Sequence, residues 1–305
     1  IGRFLMGLGN AVCFLACVTL VSRWFSAMQQ GLLVGLMVTM AFLGGVLAHT
    51  PFAYWVTQVG WRAALWQDVF VGSVFWIIMW GVIRDAPEGS TQSGSTRPKA
   101  KSGVALRQPQ VYLAGLYASF LNLPIMVLGA LWGVSYLETA YQVPLMQATF
   151  IASLLLVGSM IGCPVLGGLS DRMQRRKPVM WLGVMGSAAC FLPLWFGVFH
   201  DVWLLGVLFL GVGFFTSAQV ISYPLVAAQV PAAQVGAATA AASCLIMGSA
   251  LVGQVLFGEW LQASAGQGVS HYTVENFQQA MWMFFIALCF SGILVGFIRE
   301  PASQP

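Results

Sequence analysis

The sequence contains few charged residues. Only 7% of its 305 residues are Asp, Glu, Lys or Arg, whereas a soluble domain carries about 25%. A soluble protein of this length could not keep its surface hydrated with 13 basic and 9 acidic side chains. Hydrophobic residues make up 59% of the chain. The composition therefore argues against a water-soluble enzyme and indicates a polytopic membrane protein.

Several chemical motifs are also missing. The six cysteines form no Cys-x-x-Cys pair, and no His or Asp accompanies them at a metal-binding spacing. The sequence has no phosphate-binding Gly-x-x-x-x-Gly-Lys-Ser/Thr loop and no His-Glu-x-x-His or Gly-x-Ser-x-Gly motif. We therefore expect no metal, no cofactor and no enzymatic activity. The net charge of +4 is too small to predict nucleic-acid binding.

Nine apolar runs are long enough to cross a bilayer, which requires about 20 residues per helix. We interpret them as helices because lipid offers no hydrogen-bond partner to an unpaired backbone. The predicted spans are residues 1–22, 30–57, 62–83, 110–137, 145–169, 178–199, 202–227, 236–262 and 277–298.

A polar segment divides these spans into three and six. Residues 84–103 are rich in Ser, Gly and Pro and contain several basic residues, which is typical of a flexible linker. If the loop at Arg23 faces the cytoplasm, 11 of the 13 basic residues fall on the cytoplasmic side. Cytoplasmic loops carry an excess of Lys and Arg. The pattern therefore predicts a cytoplasmic linker and a cytoplasmic C-terminus.

The loop after the fifth span contains the most specific motif. Residues 167–177 read Gly-Gly-Leu-Ser-Asp-Arg-Met-Gln-Arg-Arg-Lys. This segment resembles the signature loop of the major facilitator superfamily, in which small residues let two helix ends pack closely and charged residues latch the cytoplasmic face. Gln174 replaces the usual glycine. The resemblance implies a cytoplasmic gating loop formed by Gly167, Leu169, Asp171, Arg172, Arg175, Arg176 and Lys177.

Two further matches set the register within that family. Residues 3–9 resemble the Arg-x-x-x-Gly-x-Gly motif of family helix 4, and Gly60-Trp61-Arg62 resembles the turn between family helices 5 and 6. The nine spans therefore correspond to helices 4 to 12 of a twelve-helix fold in two bundles. We expect a partial N-terminal bundle at 1–83, a cytoplasmic linker at 84–109 and a C-terminal six-helix bundle at 110–305. Because the first run begins at Ile1, we also expect a fragment or a truncated form that lacks helices 1 to 3.

Ionisable residues inside spans are costly and are candidates for function. By the family resemblance, Arg3 faces a central cavity and handles protons or an anion, although an arginine that snorkels to the interface is the alternative. His49 precedes Pro51, and we consider both a proton relay and a structural hydrogen bond beside a proline kink.

The remaining candidates lie on family helices 7 and 10, which the resemblance places at the cavity. Pro124 and Pro224 each free a backbone carbonyl in these helices, and polar residues lie next to them. Asn122, Gln219, Ser222 and Tyr223 are predicted to bind substrate, and Trp132 to stack on it. Ordinary contact between helices is the alternative for each. Tyr136 is assigned to the aromatic belt at the membrane interface.

The resemblance implies secondary active transport of a small organic solute by alternating access. The expected partners are that solute, protons and the lipid bilayer, for a monomer in a bacterial inner membrane. The glycine pattern of family antiporters is incomplete, because Ala48-His49 stands in place of Gly-Pro, and this favours uptake by symport. The alternatives are a proton-coupled efflux antiporter, a non-transporting remnant and a regulatory partner.

Overall fold

The computed structural model describes residues 27–83, 108–173, 175–197, 201–230, 234–266 and 272–300, together with isolated positions before residue 21. Side chains are described from residue 37 onward, except at positions 49 and 50. Within these ranges the chain is helical and contains no strand. The ten α-helices are α1 (Ala27–Val59), α2 (Trp61–Val82), α3 (Pro109–Pro124), α4 (Gly133–Tyr141), α5 (Leu145–Met173), α6 (Lys177–Phe196), α7 (Val202–Thr216), α8 (Ser222–Ala228), α9 (Val235–Ala265) and α10 (Val274–Phe297).

Eight helical stretches among the described residues are long and apolar enough to cross a membrane. They correspond to eight of the nine predicted spans, and most of the first span, 1–22, lies outside the described residues. The predicted all-helical membrane fold is therefore confirmed. Two of the spans are composite. Pro109–Tyr141 joins α3 to α4 and Val202–Ala228 joins α7 to α8, each through a short segment of different helical geometry.

The chain divides into two compact units. The first comprises Ile1–Ala41 and Phe52–Thr96, and the second comprises Phe42–Pro51 and Arg97–Pro305. Residues 84–107 of the predicted linker lie outside the described residues. The division into bundles at 1–83 and 110–305 therefore stays a prediction.

In the first unit, Gly60 alone separates α1 from α2. Its φ of +81° is a conformation that a side chain would strain, so glycine is required at this turn. The Trp55 indole N–H donates a hydrogen bond to the Gln67 side chain across the turn. Every residue of α2 except Ala64 is exposed within the protein. Because these exposed side chains are mostly large and apolar, α2 presents a surface suited to lipid or to other membrane helices.

In the second unit, α5 and α7 pack with their backbones in direct contact. A Cβ atom at Gly158 would lie 2.0 Å from the Leu210 carbonyl oxygen, and one at Gly213 would lie 1.8 Å from the Leu155 carbonyl oxygen. Small residues allow membrane helices to approach this closely without an aqueous hydrophobic effect. The Ser159 hydroxyl also donates to the Gly213 carbonyl at 3.1 Å. The two helices are therefore in close backbone contact.

Candidate functional site

The two composite spans meet at a pair of side-chain amides. Asn122 is two residues before the end of α3, and Gln219 lies in the 3₁₀ segment Ser217–Ile221 between α7 and α8. Gln219 Nε2 donates to Asn122 Oδ1 at 2.8 Å. Asn122 is buried, with 2% of its surface exposed, and Gln219 is half-buried. The structure thus joins two predicted site residues that are 97 positions apart in the sequence.

Helix breaks on both sides produce this arrangement. Pro124 has no backbone N–H to donate, and α3 passes at this residue into the π-helical segment Ile125–Trp132. On the other helix, the 3₁₀ segment leads into α8, which contains Pro224 in its first turn. Short π and 3₁₀ stretches inside membrane helices are tolerated where side chains satisfy the freed backbone groups. The amide pair therefore lies where both helices depart from α geometry.

The other two predicted residues on the second composite span differ in exposure. Ser222 is fully buried, and its hydroxyl has no hydrogen-bond partner among the described residues. Tyr223 is half-buried. An unpaired buried hydroxyl costs free energy, and Ser222 stays a predicted substrate ligand.

The π-helical segment has a hydrogen-bond partner on α9, Gln254, which no sequence motif marks. Gln254 of α9 donates from Nε2 to the Met126 carbonyl oxygen at 2.8 Å. The residue after the segment is Gly133, where a Cβ atom would lie 2.4 Å from the Leu128 carbonyl oxygen. Gln254 therefore supports the π geometry through a hydrogen bond from α9, and Gly133 leaves room for the Leu128 carbonyl because it has no side chain.

Replacing Gln254 by leucine is expected to lower the melting temperature of the purified protein by several degrees. The substitution leaves the Met126 carbonyl without its side-chain partner, and interhelical hydrogen bonds in membranes stabilise by about 0.6 kcal/mol on average and up to about 1.7. The matched control is Gln262→Leu on the same helix, because the exposed Gln262 side chain makes no hydrogen bond to the described residues. Equal melting temperatures for the two variants would contradict the assigned role.

Trp132 lies at the last position of the π-helical segment. Its ring contacts Phe257 at a centroid distance of 5.8 Å and Tyr272 at 6.4 Å. The indole N–H is buried and has no hydrogen-bond partner among the described residues. Trp132 is thus packed against two aromatic side chains, and its role in stacking on substrate stays a prediction.

The assignment of Tyr136 to the membrane interface is wrong. The side chain is 1% exposed, and its hydroxyl donates to the Leu194 carbonyl of α6 at 2.6 Å. Tyr141 donates to the same carbonyl at 3.3 Å. Pro193 precedes Leu194 inside α6. The two tyrosines satisfy a carbonyl in the last turn of α6 and fix it against α4.

Most of the predicted gating loop is helical: Gly167, Leu169, Asp171 and Arg172 lie in the last turns of α5, and Lys177 begins α6. Asp171, Arg172 and Arg175 are exposed, whereas Arg176 and Lys177 are half-buried. The expected close packing at the glycines is not found, because a Cβ atom at Gly167 or Gly168 would meet no described atom within 4 Å. The neighbouring Leu169 is half-buried.

The basic end of this loop bonds to other parts of the second unit. Arg176 Nη1 donates to the Pro224 carbonyl at 2.7 Å, and Lys177 Nζ donates to the Gly296 carbonyl at 3.2 Å. The backbone N–H groups of Arg176 and Lys177 donate to one carboxylate oxygen of Glu300 at 2.7 and 2.6 Å. Partial burial lowers the pKa of Arg176, while the charges of Asp171 and Glu300 act in the opposite direction.

Two predicted site residues cannot be placed. Arg3 lies outside the described residues. His49 lies in α1, but its side chain is outside the described part. The predictions for both residues remain untested. Among the described residues, no group of three or more His, Cys, Asp or Glu side chains could hold a metal ion.

Comparison with known proteins identifies relatives of the chain. A sequence profile of the Major Facilitator Superfamily matches residues 1–254 and 126–305. A probable hexose phosphate transport protein of Chlamydia pneumoniae is 24% identical over 65% of this chain and 50% of its own length. The probable sulfoacetate transporter SauU of Cupriavidus necator is 24% identical over 73% of this chain and 57% of its own length. The membrane sensor protein UhpC of Escherichia coli is 24% identical over 70% of this chain and 53% of its own length.

The chain spans about half the length of these curated relatives. Among solved structures, a bacterial homolog of the human lysosomal transporter Spinster matches in its inward-facing, unoccupied conformation. The TM-score is 0.66 at 15% identity, over 94% of this chain and 75% of that one. The occupied, inward-facing form matches with a TM-score of 0.61 at 14% identity and the same coverage. These likenesses support the fold alone.

The profile covers the whole chain, so the family resemblance carried by the signature loop is confirmed. The prediction that the chain is not an enzyme is confirmed by the same match, since the family is one of transport proteins. With its multi-pass helical fold, the chain belongs to the Major Facilitator Superfamily.

Proposed function

We propose that the protein containing this chain is a secondary active transporter that moves a small organic anion across a membrane by alternating access. The observation that carries the proposal is the amide pair of Asn122 and Gln219 at the breaks in two membrane helices. Polar side chains inside membrane spans are costly and default to function. In secondary transporters, interrupted helices near the bilayer midplane form the substrate site.

The chemistry of the proposed substrate rests on two relatives. Their names specify hexose phosphate and sulfoacetate, which are small organic solutes with an anionic phosphate or sulfonate group. The amide N–H groups of Gln219 and Asn122 can donate hydrogen bonds to such an oxyanion, and Ser222 and Trp132 stay candidates from the sequence alone. Arg3 stays a separate candidate for handling an anion, on the family resemblance alone.

Coupling and orientation form a further part of the proposal. We propose proton-coupled uptake, with His49 as a candidate proton carrier, because the antiporter glycine pattern is incomplete in α1. The distribution of Lys and Arg supports a cytoplasmic C-terminus. The named relatives are bacterial, which supports a bacterial inner membrane. A monomer remains part of the proposal.

A second function is favoured by one relative. UhpC of Escherichia coli is described as a membrane sensor protein and matches as closely in identity as the two transporters. A sensor would bind the same class of anion at the amide pair without moving it across the membrane. Binding and uptake measurements on one preparation separate the two functions.

Binding of the proposed substrate class is tested on the intact protein purified in detergent. Hexose 6-phosphate or sulfoacetate is expected to raise the melting temperature in a saturable manner, since a ligand that binds the folded state stabilises it. The matched control for hexose 6-phosphate is the neutral hexose, and the control for sulfoacetate is acetate, which lacks the sulfonate. Each control should produce a smaller shift at equal concentration. Equal shifts with the four compounds, or none, would refute an organic phosphate or sulfonate as the substrate.

A further inference from the structure

The segment that follows α10 is tied to three other helices. The Arg299 backbone N–H donates to Gln110 Oε1 near the start of α3 at 2.9 Å. Gln229 Nε2, just after α8, donates to the Arg299 carbonyl at 2.9 Å. Ile298 is fully buried. Together with the bonds from Glu300 to the start of α6, these contacts fix residues 298–300 at one end of the second unit.

Glu300 supplies a cap that the start of α6 otherwise lacks. The side chain of Arg176, the residue at the N-cap position, makes no capping hydrogen bond. The carboxylate of Glu300 accepts both N–H groups at this terminus, at 2.7 and 2.6 Å. A negative group at a helix N-terminus is favoured by the unpaired N–H groups and by the helix dipole. Glu300 therefore sets the backbone position of Arg176.

Arg176 in turn contacts the composite span that carries half of the amide pair. Its guanidinium donates to the Pro224 carbonyl at 2.7 Å. Pro224 belongs to α8, a helix of only seven residues, and the 3₁₀ segment with Gln219 comes immediately before it. A hydrogen bond from a charged donor is stronger than one between neutral groups. The contact restrains α8, the short helix that directly follows the 3₁₀ segment containing Gln219.

We infer that Arg176 and Glu300 are positioning residues that hold α8 and the 3₁₀ segment so that Gln219 meets Asn122. This inference rests on the proposed function for its effect on substrate, but its structural part does not depend on transport. The hydrogen bonds link Glu300 to the Arg176 backbone and the Arg176 guanidinium to Pro224. Gln219, five residues before Pro224 in the chain, bonds to Asn122. The role of Arg176 is thus to order α8 and, through it, the preceding segment that carries Gln219.

The structural part is tested by hydrogen–deuterium exchange of the intact protein in nanodiscs. In Arg176→Gln and in Glu300→Gln, amides of residues 217–229 should exchange about three- to tenfold faster, as expected for loss of one hydrogen bond to a charged group at a partly exposed site. Amides of α5 should exchange at the unchanged rate. The matched control is Arg299→Gln, which removes the same charge as Arg176→Gln from an exposed side chain with no hydrogen bond to the described residues.

Three results would overturn the inference. They are unchanged exchange over 217–229 in both variants, an equal increase across all helices, and an equal increase in Arg299→Gln. If Arg176→Gln does not fold, Arg176→Lys keeps the charge but loses the planar fork. The lysine variant should then show an intermediate increase confined to the same segment, and no increase would likewise overturn the inference.

The effect on substrate is measured separately. In Arg176→Gln and Glu300→Gln, KM for the transported anion should rise about three- to tenfold with a smaller change in kcat, because binding geometry is lost rather than a step of translocation. A fall in kcat at unchanged KM would contradict positioning of Gln219. If exchange rises locally but the wild-type protein moves no anion, the positioning role stands and the proposed transport function fails.

Discussion

Replacing Gly213 by leucine is expected to leave no correctly folded protein in the membrane. A Cβ atom at this position would lie 1.8 Å from the Leu155 carbonyl oxygen and 2.7 Å from its carbon, so both helices would have to move apart. Because the atoms in the way belong to the backbone, repacking a side chain cannot restore the contact between α5 and α7. The measurement is the yield of monodisperse protein after detergent extraction.

Gly248→Leu is the control for this substitution. Gly248 lies in the middle of α9, is exposed, and would place its Cβ more than 4 Å from any described atom outside its own helix. Its yield should match that of the wild type, because an exposed apolar side chain suits a membrane span. A monodisperse Gly213→Leu protein with the wild-type melting temperature would contradict the close contact of α5 and α7.

Replacing Gln219 by leucine is expected to abolish binding of the organic anion and to lower the melting temperature. The substitution removes one predicted ligand and leaves the buried Asn122 amide without its 2.8 Å partner. An unpaired buried polar group costs about 1 to 3 kcal/mol in general. Anion binding is followed by the shift in melting temperature with hexose 6-phosphate or sulfoacetate.

The double variant Asn122→Leu with Gln219→Leu separates stability from binding. Because both amides are then removed, neither leaves its partner unpaired, and part of the lost stability should return. Binding should remain absent, since neither amide is present. Wild-type affinity in the double variant would show that the amide pair is ordinary contact between helices, as the sequence allowed.

The positions of the membrane helices could be predicted because hydropathy is a property of each segment by itself. The predicted span 110–137 and the observed stretch Pro109–Tyr141 agree at their starts. The π-helical segment could not be predicted, because Pro124 indicates a break without specifying its geometry. Its geometry depends on Gln254, whose partner is a backbone carbonyl 128 positions away.

The candidate site also contains residues that the sequence predicts and residues that it does not. Asn122 and Gln219 could be selected because each is a polar residue near a proline in an apolar run, and the structure brings them together. Tyr136 was placed wrongly, because its position near the end of a span is equally typical of an interfacial and of a buried tyrosine. Glu300 carried a weak signal, a lone acidic residue just after the last span. Its partners are backbone N–H groups, which no side-chain pattern reveals.

The central claim is that the protein moves a small organic anion across the membrane. The most direct test is uptake of radiolabelled hexose 6-phosphate and sulfoacetate into proteoliposomes containing the intact protein, with an imposed pH gradient that is alkaline inside. We expect saturable accumulation that a protonophore abolishes and that Gln219→Leu eliminates. Uptake no greater than in protein-free liposomes, from a preparation that binds either anion, would contradict transport and would support a sensor.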